Sequence, residues 1–258
     1  MRLVDNLEQR KKVSLVNSYL MTDKGLARNN NQDDVLGLVK ENGDSLYVLC
    51  DGMGGHIGGA IACKKCINIF KKEFNKSKYK NIEEAKDWLY KMILKANKEI
   101  INAGNKDASL KGMGTTVVCM LISKEFKVYA SVGDSRLYAY NKKSLKQISE
   151  DQTFAAALYK AGYINKKEAQ NHPRRSMLLC AVGSAPNEAL DVQIKEIVGE
   201  DNYLICSDGL YNMVDDVKIK KILDENISIK EKVDKLINEA NDNGGFDNIS
   251  VILLEVNV

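Results

Sequence analysis

Five aspartates stand where an apolar run gives way to glycine or a polar turn. Asp51 opens Asp51-Gly52-Met53-Gly54-Gly55-His56 after the run Ser45 to Cys50, Asp134 lies in Gly133-Asp134-Ser135-Arg136 after Phe126 to Val132, and Asp208 lies in Ser207-Asp208-Gly209 after Tyr203 to Cys206. Asp247 stands just before the last apolar run, and Asp33 just after Asn29-Asn30-Asn31-Gln32. A single Asp-Gly is an ordinary turn. The recurrence carries more, because aspartates at several strand ends can converge on one edge of a sheet sandwich, where their repulsion is costly unless cations neutralise it. Carboxylate, carbonyl and water donors suit Mg²⁺ or Mn²⁺ rather than zinc. Gly52, without a Cβ, lets the backbone approach a ligand closely. Arg28, shortly before Asp33, carries a guanidinium able to grip a tetrahedral anion through two bonds.

Other chemistries fit these residues less well. A dinucleotide fingerprint beginning at Gly52 needs glycine where Ile57 stands, and no G-x-x-x-x-G-K-[ST] occurs anywhere. Gly133-Asp134-Ser135-Arg136-Leu137 departs from G-x-S-x-G at its last residue. Cys63 and Cys66 form one C-x-x-C without a second pair, and His56 and His172 are the only histidines, so a thiolate or imidazole metal site lacks ligands. Arg136 reads as a structural partner of nearby acids.

The elements that must position these residues are predominantly strands. Val13 to Leu20, Val35 to Val39, Ser45 to Cys50, Thr115 to Ile122, Phe126 to Val132, Leu137 to Tyr140, Val192 to Ile197, Tyr203 to Cys206 and Ile249 to Val256 are rich in β-branched, aromatic and apolar residues. Phe126, Val128, Ala130 and Val132 alternate with Lys127, Tyr129 and Ser131, which predicts a strand with one buried face. Helical periodicity is clearest over Ile82 to Ile101, weaker over Gly59 to Phe74, and present again from Ile229 to Ala240, stopped by Asn243-Gly244-Gly245. Consecutive strands without intervening helices favour a layered α+β fold over a doubly wound parallel sheet.

The chain has 258 residues, 44% hydrophobic and 28% charged, and a net charge of +3. That predicts one domain with a sizeable core and excludes intrinsic disorder and a strongly basic nucleic-acid binder. No apolar run reaches the roughly 18 residues of a membrane helix. Met1 to Lys12 is a polar arm without an apolar leader, and six scattered cysteines fit reduced core thiols, so a cytoplasmic protein is expected. The basic stretch Lys71 to Lys80 reads as a solvated surface.

Six motifs in order resemble the metal-dependent type 2C (PPM) protein serine/threonine phosphatases of bacteria. They are T-D-x-G-x-x-R-x-x-N-Q-D (Thr22 to Asp33), D-G-M-G-G-H (Asp51 to His56), G-M-G-T-T (Gly112 to Thr116), G-D-S-R (Gly133 to Arg136), C-S-D-G-L (Cys206 to Leu210) and D-N-I-S (Asp247 to Ser250). The resemblance runs over nearly the whole chain from about Val13.

It implies a four-layer αββα sandwich, two central antiparallel sheets flanked by helices, with a small flap subdomain at about 151–183 in a single catalytic domain spanning 1–258. It implies hydrolysis of phosphoserine and phosphothreonine by a water activated between two Mg²⁺ or Mn²⁺ ions. Asp51 would bridge the ions, the Gly52 carbonyl would join one, and Asp208 and Asp247 would hold the other, with Asp33 completing the site. Asp134 matches the acid used for a third ion, Arg28 the phosphate-binding arginine, and His56 is the candidate general acid. Phosphoproteins are the implied substrates, a Ser/Thr kinase the counterpart, and a monomer without nucleic-acid or membrane partners the expected state. A catalytically weak phosphoprotein-binding module of the same fold is the alternative. The sequence departs from the family's habit at Gly59-Ala60-Ile61, where an acidic residue often begins the helix.

Overall fold

The computed structural model describes residues 16–54, 57–199 and 202–256. The polar arm Met1 to Lys12 and His56 lie outside the described residues. In chain order the strands are β1 (Val16–Asp23), β2 (Asp34–Val39), β3 (Ser45–Cys50), β4 (Gly52–Met53), β5 (Gly114–Thr115), β6 (Val117–Ile122), β7 (Lys127–Val132), β8 (Arg136–Tyr140), β9 (Leu145–Gln147), β10 (Gln193–Glu196), β11 (Asn202–Cys206) and β12 (Ile249–Val256). The helices are α1 (Gly58–Phe74), α2 (Ile82–Lys106), α3 (Phe154–Lys160), α4 (Lys166–Gln170), α5 (Asp208–Tyr211), α6 (Asp216–Leu223) and α7 (Ile229–Asp242).

Two five-stranded sheets form, in the orders β1-β12-β11-β8-β9 and β10-β7-β6-β3-β2, and every pairing is antiparallel. Tyr47, Leu49, Val118, Met120 and Tyr129 of one sheet pack against Leu20, Leu137, Ile205 and Ile252 of the other. The outer face of the second sheet is covered by α1 and α2 through Cys63, Cys66, Phe70, Leu89 and Ile93. The outer face of the first is covered by α6 and α7 through Ile219, Ile222, Val233, Leu236 and Ile237. The layers are therefore αββα, as the resemblance implies.

This layering corrects two expectations. From Val128 to Val132, β7 is buried on both faces, since Val128, Ala130 and Val132 meet the helices while Tyr129 meets the opposite sheet. A period-two pattern with Tyr and Ser as its polar half does not distinguish a solvated face from a sheet-facing one. The run Thr115 to Ile122 is two strands, not one, because Thr115 ends the short β4–β5 pair and β6 begins only at Val117. The break at Thr116 falls where its N–H donates to the Asp51 carbonyl at 2.8 Å.

The cysteines are all free and buried, with Cys63 and Cys66 one turn apart on the inner face of α1. The segment 151–183 holds α3 and α4, in which Ala155 is the one buried residue. No described helix is long and apolar enough to cross a membrane.

Candidate active site

Strand register carries the five aspartates to one end of the sandwich. In the second sheet Asp34 pairs with Cys50, Leu49 with Val118, and Val117 with Val132. The start of β2 and the ends of β3 and β7 are thereby level, and these are the positions of Asp33, Asp51 and Asp134. In the first sheet Cys206 pairs with both Val251 and Arg136, and Asp23 with Ile249. That places Asp208, after β11, beside Asp247, before β12.

The electrostatics show that the two groups meet across the sheets. Burial pushes the Asp33 carboxyl up to about 7, against the hydroxyls of Ser250 and Ser207, and the charges of Asp208 and Asp247 add to the rise. Asp51 is held well above the ordinary carboxylate range by desolvation, then by Asp33, Asp208 and Asp134. Asp134 rises to about 8 by burial and by Asp208 and Asp151, with Arg136 opposing. Asp208 rises to about 6 by burial and by Asp247, with Arg28 opposing. Asp33, Asp51, Asp134 and Asp208 are thus each disfavoured as anions by burial and by their neighbours, the condition under which a bound cation is most favourable.

One further observation fits an oxygen-ligated cation, and a second explains why glycine follows Asp51. Asp33 Oδ2 is buried and has no hydrogen-bond partner, which for a carboxylate oxygen is an unmet demand for a proton or a cation. A Cβ on Gly52 would lie 2.4 Å from the Gly59 carbonyl oxygen and 2.6 Å from that of Gln32, so only glycine lets the three backbone segments meet here. No three Asp, Glu, His or Cys side chains among the described residues close around one point as a ready cage. An ion held here would therefore draw on backbone oxygen and water besides carboxylates, a donor mix Mg²⁺ accepts.

Side chains outside the aspartate set fix this geometry. Thr116 Oγ1 accepts from the Asp51 N–H at 3.2 Å, and Thr115 Oγ1 donates to the Asp51 carbonyl at 2.9 Å. Asn248 is buried; its Oδ1 accepts from the Gln32 N–H at 2.9 Å, and its Nδ2 donates to the carbonyls of Lys24 and Asn30 at 2.8 and 3.0 Å. One amide thereby ties the loop bearing Arg28 to the start of β12. Arg136 grips Asp151 through Nε and Nη2 and lies 3.5 Å over the Tyr211 ring, whose hydroxyl donates to the Asp134 carbonyl at 3.0 Å. Arg136 is thus the structural partner its sequence context suggests. Sequence alone points to no role for Thr116, Asn248 or Tyr211, although Thr116 and Asn248 sit inside the motifs and Tyr211 directly follows one.

Arg28 is exposed and its Nη2 donates to Asp247 Oδ2 at 2.8 Å. Arg174 and Arg175 lie exposed in the 151–183 segment, Arg174 over the Phe154 ring.

The class defined by this sandwich and its acidic end is that of the protein phosphatases 2C, and residues 26–245 match that family. The serine/threonine phosphatase stp of Listeria welshimeri is 38% identical over 240 residues, 92% of this chain and 94% of the relative. Protein phosphatase PhpP of Streptococcus pneumoniae is 32% identical over 238 residues, 92% and 96% of the two chains. The structure of serine/threonine phosphatase Stp1 from Staphylococcus aureus superposes with a TM-score of 0.88 at 33% identity, covering 97% of this chain and 100% of that one. The S. agalactiae serine/threonine phosphatase gives 0.87 at 31%, covering 94% and 100%. The chain belongs to the protein phosphatase 2C family and is a serine/threonine phosphatase of that type, a family dependent on Mg²⁺ or Mn²⁺.

Proposed function

We propose that the chain hydrolyses phosphoserine and phosphothreonine in proteins at the acidic end of the sandwich, in a single catalytic domain whose 151–183 segment is a flap beside the site. Asp33, Asp51, Asp208 and Asp247, with the Gly52 carbonyl, would hold two Mg²⁺ or Mn²⁺ ions, and Asp134 a third. Bound there, the ions supply Lewis-acid activation of water and neutralise phosphoryl charge. Arg28 binds the phosphate by a charge-assisted fork at the rim. The ion pair with Asp247 holds that guanidinium at the edge of the acid cluster, from which it would turn to the phosphate once an ion takes the carboxylate. His56 is the proposed proton donor to the leaving serine or threonine oxygen. With water as the nucleophile, the phosphate leaves as free phosphate and no protein side chain is phosphorylated.

The observation that carries this reading is the buried, unpartnered Asp33 oxygen within a cluster of mutually repelling carboxylates. Six free buried thiols fit a cytoplasmic enzyme, and a Ser/Thr protein kinase would supply its substrates. The test is hydrolysis of a phosphothreonine peptide with Mn²⁺ in ¹⁸O-labelled water. One labelled oxygen in released phosphate, no phosphoprotein, and complete loss with EDTA are expected. Full turnover in a verified metal-free preparation would sink the assignment.

A further inference from the structure

The outer face of α1 carries a charge pattern that the reaction does not use. Residues 58–81 contain seven lysines against one glutamate, a net +6, whereas the whole chain carries +3, so all other residues together carry −3. Lys64, Lys71, Lys72, Lys76, Lys78 and Lys80 are exposed and Lys65 half-buried. None of the seven makes an ion pair with a described residue. The one acid of the segment, Glu73, is taken by Lys95 at 2.8 Å. The next acids along the chain are committed as well, Glu83 to Lys86 and Glu84 to the Lys80 N–H.

As sequence, Lys71 to Lys80 reads as a solvated surface. The structure adds direction. At about 100° per residue, Lys64, Lys65, Lys71 and Lys72 fall within about 120° of one another, opposite the buried Cys63, Cys66, Ile67 and Phe70. They form a stripe that starts at the acidic end of the sandwich, because Gly59 at the head of α1 abuts Gly52. Four lysines on one face concentrate positive potential there, which a binding partner of opposite charge complements.

We propose that this stripe docks acidic segments of the phosphoprotein substrates, a proposal that rests on the phosphatase reading of the neighbouring site. At about 1.5 Å per helical residue, Lys64 to Lys72 lie about 9 to 21 Å beyond the start of α1. An extended peptide spans that at about 3.3 Å per residue, so the stripe reads acids about three to seven residues from the phosphorylated one. The preferred substrates are phosphoproteins whose modified residue lies near a run of Asp or Glu.

The experiment compares two phosphothreonine peptides, one with glutamates about three to seven residues from the phosphate on either side and one with glutamines there. The enzyme is tested unmodified and with Lys64→Gln, Lys65→Gln, Lys71→Gln and Lys72→Gln combined, the four lysines of the stripe. Two or three exposed pairs of the usual strength should give the acidic peptide an advantage of about tenfold in kcat/KM at low salt. That advantage should vanish near 0.5 M salt, where screening is short-ranged (about 4 Å), and vanish in the variant, while nitrophenyl phosphate turnover is unchanged in both.

Equal rates for the two peptides, or a preference that survives the four substitutions, would overturn the proposal. Binding of the unphosphorylated acidic peptide, read by fluorescence anisotropy, needs no turnover. Binding without hydrolysis would leave the docking surface standing and remove the phosphatase reading, whereas hydrolysis without salt-dependent binding does the reverse. Stronger retention on phosphatidylserine vesicles than on the acidic peptide would reassign the stripe to a membrane surface and refute peptide docking.

Discussion

Arg28 and Asp247, 219 residues apart in the chain, are joined by a hydrogen-bonded ion pair of 2.8 Å. The guanidinium proposed to hold phosphate and a carboxylate proposed to hold metal are thus each other's partners. Both side chains are substantially exposed, at 56% and 37%, so the pair contributes at most about 1 kcal/mol to stability. If Asp247 holds an ion as proposed, that ion would compete with Arg28 for the oxygen and would free the guanidinium for substrate.

Arg28→Ala should therefore raise KM at least about tenfold, the loss of one charge-assisted contact, while leaving Mn²⁺ affinity unchanged or slightly tighter. Calorimetric titration of Mn²⁺ into the variant checks this. A large weakening of metal binding would show that Arg28 supports the ions rather than the phosphate.

Asp51→Asn should separate stability from activity. Because its carboxyl titrates well above an exposed aspartate, the ionised form disfavours the folded state at every pH above the unfolded value near 4. An amide of the same shape removes that repulsion. At pH 7.5 with EDTA the variant should melt higher than the parent, by about 2–4 °C for each kcal/mol relieved in a chain of this size. With Mn²⁺ the order should reverse, since only the parent gains about 2.7 kcal/mol at a hundredfold excess over Kd, and peptide hydrolysis by the variant should be nearly abolished. Thermal melts with and without Mn²⁺ read both. A variant less stable than the parent in EDTA would contradict the repulsion argument.

Much of this architecture is legible in the residues. Asp51 and Asp208 stand out because an apolar run ends abruptly in Asp-Gly, and the final strand, Ile249–Val256, coincides with its sequence reading. What is not legible has physical causes. α6 is eight residues long and buries three of them, too few turns for a periodicity to emerge. β4 and β9 are two and three residues long and are set by their partners Gly114–Thr115 and Tyr138–Tyr140 rather than by propensity. The Arg136–Asp151 grip and the Asn248 amide join positions whose spatial proximity depends on strand register, and a single sequence does not display register between distant strands.

His56 lies outside the described residues, so its prediction rests on leaving-group chemistry. A serine alkoxide gains from a proton in the transition state, and nitrophenolate leaves with little help. If His56 is the acid, His56→Ala should slow phosphopeptide hydrolysis by about 10²–10⁴-fold and nitrophenyl phosphate hydrolysis far less. Equal losses on both substrates would reject the acid role and leave metal-dependent hydrolysis intact.

The seam between the Arg28 loop and the start of β12 should behave as one mechanical unit. Asn248 contributes three hydrogen bonds across it. Gly25, at φ +75°, lets the chains approach so closely that a Cβ there would sit 2.1 Å from the Asp247 carbonyl oxygen. Asn248→Ala leaves the half-buried Gln32 N–H and two carbonyls of exposed residues without this partner, a cost of about 1–2 kcal/mol, and Gly25→Ala adds both a clash and a strained backbone. Since the two positions act on the same seam, their effects on stability should be less than additive. Because the seam carries Arg28 and Asp247 together, both variants should lose kcat/KM for phosphopeptide by more than their remaining folded fraction explains. Asn248→Asp is the discriminating control: it keeps the acceptor for the Gln32 N–H, loses both donors, and adds a charge beside the acid cluster, so it should be the least active of the three with Mn²⁺. Denaturant melts paired with active-site-normalised kinetics measure all three variants, and full additivity with unchanged normalised turnover would show that the seam is only structural.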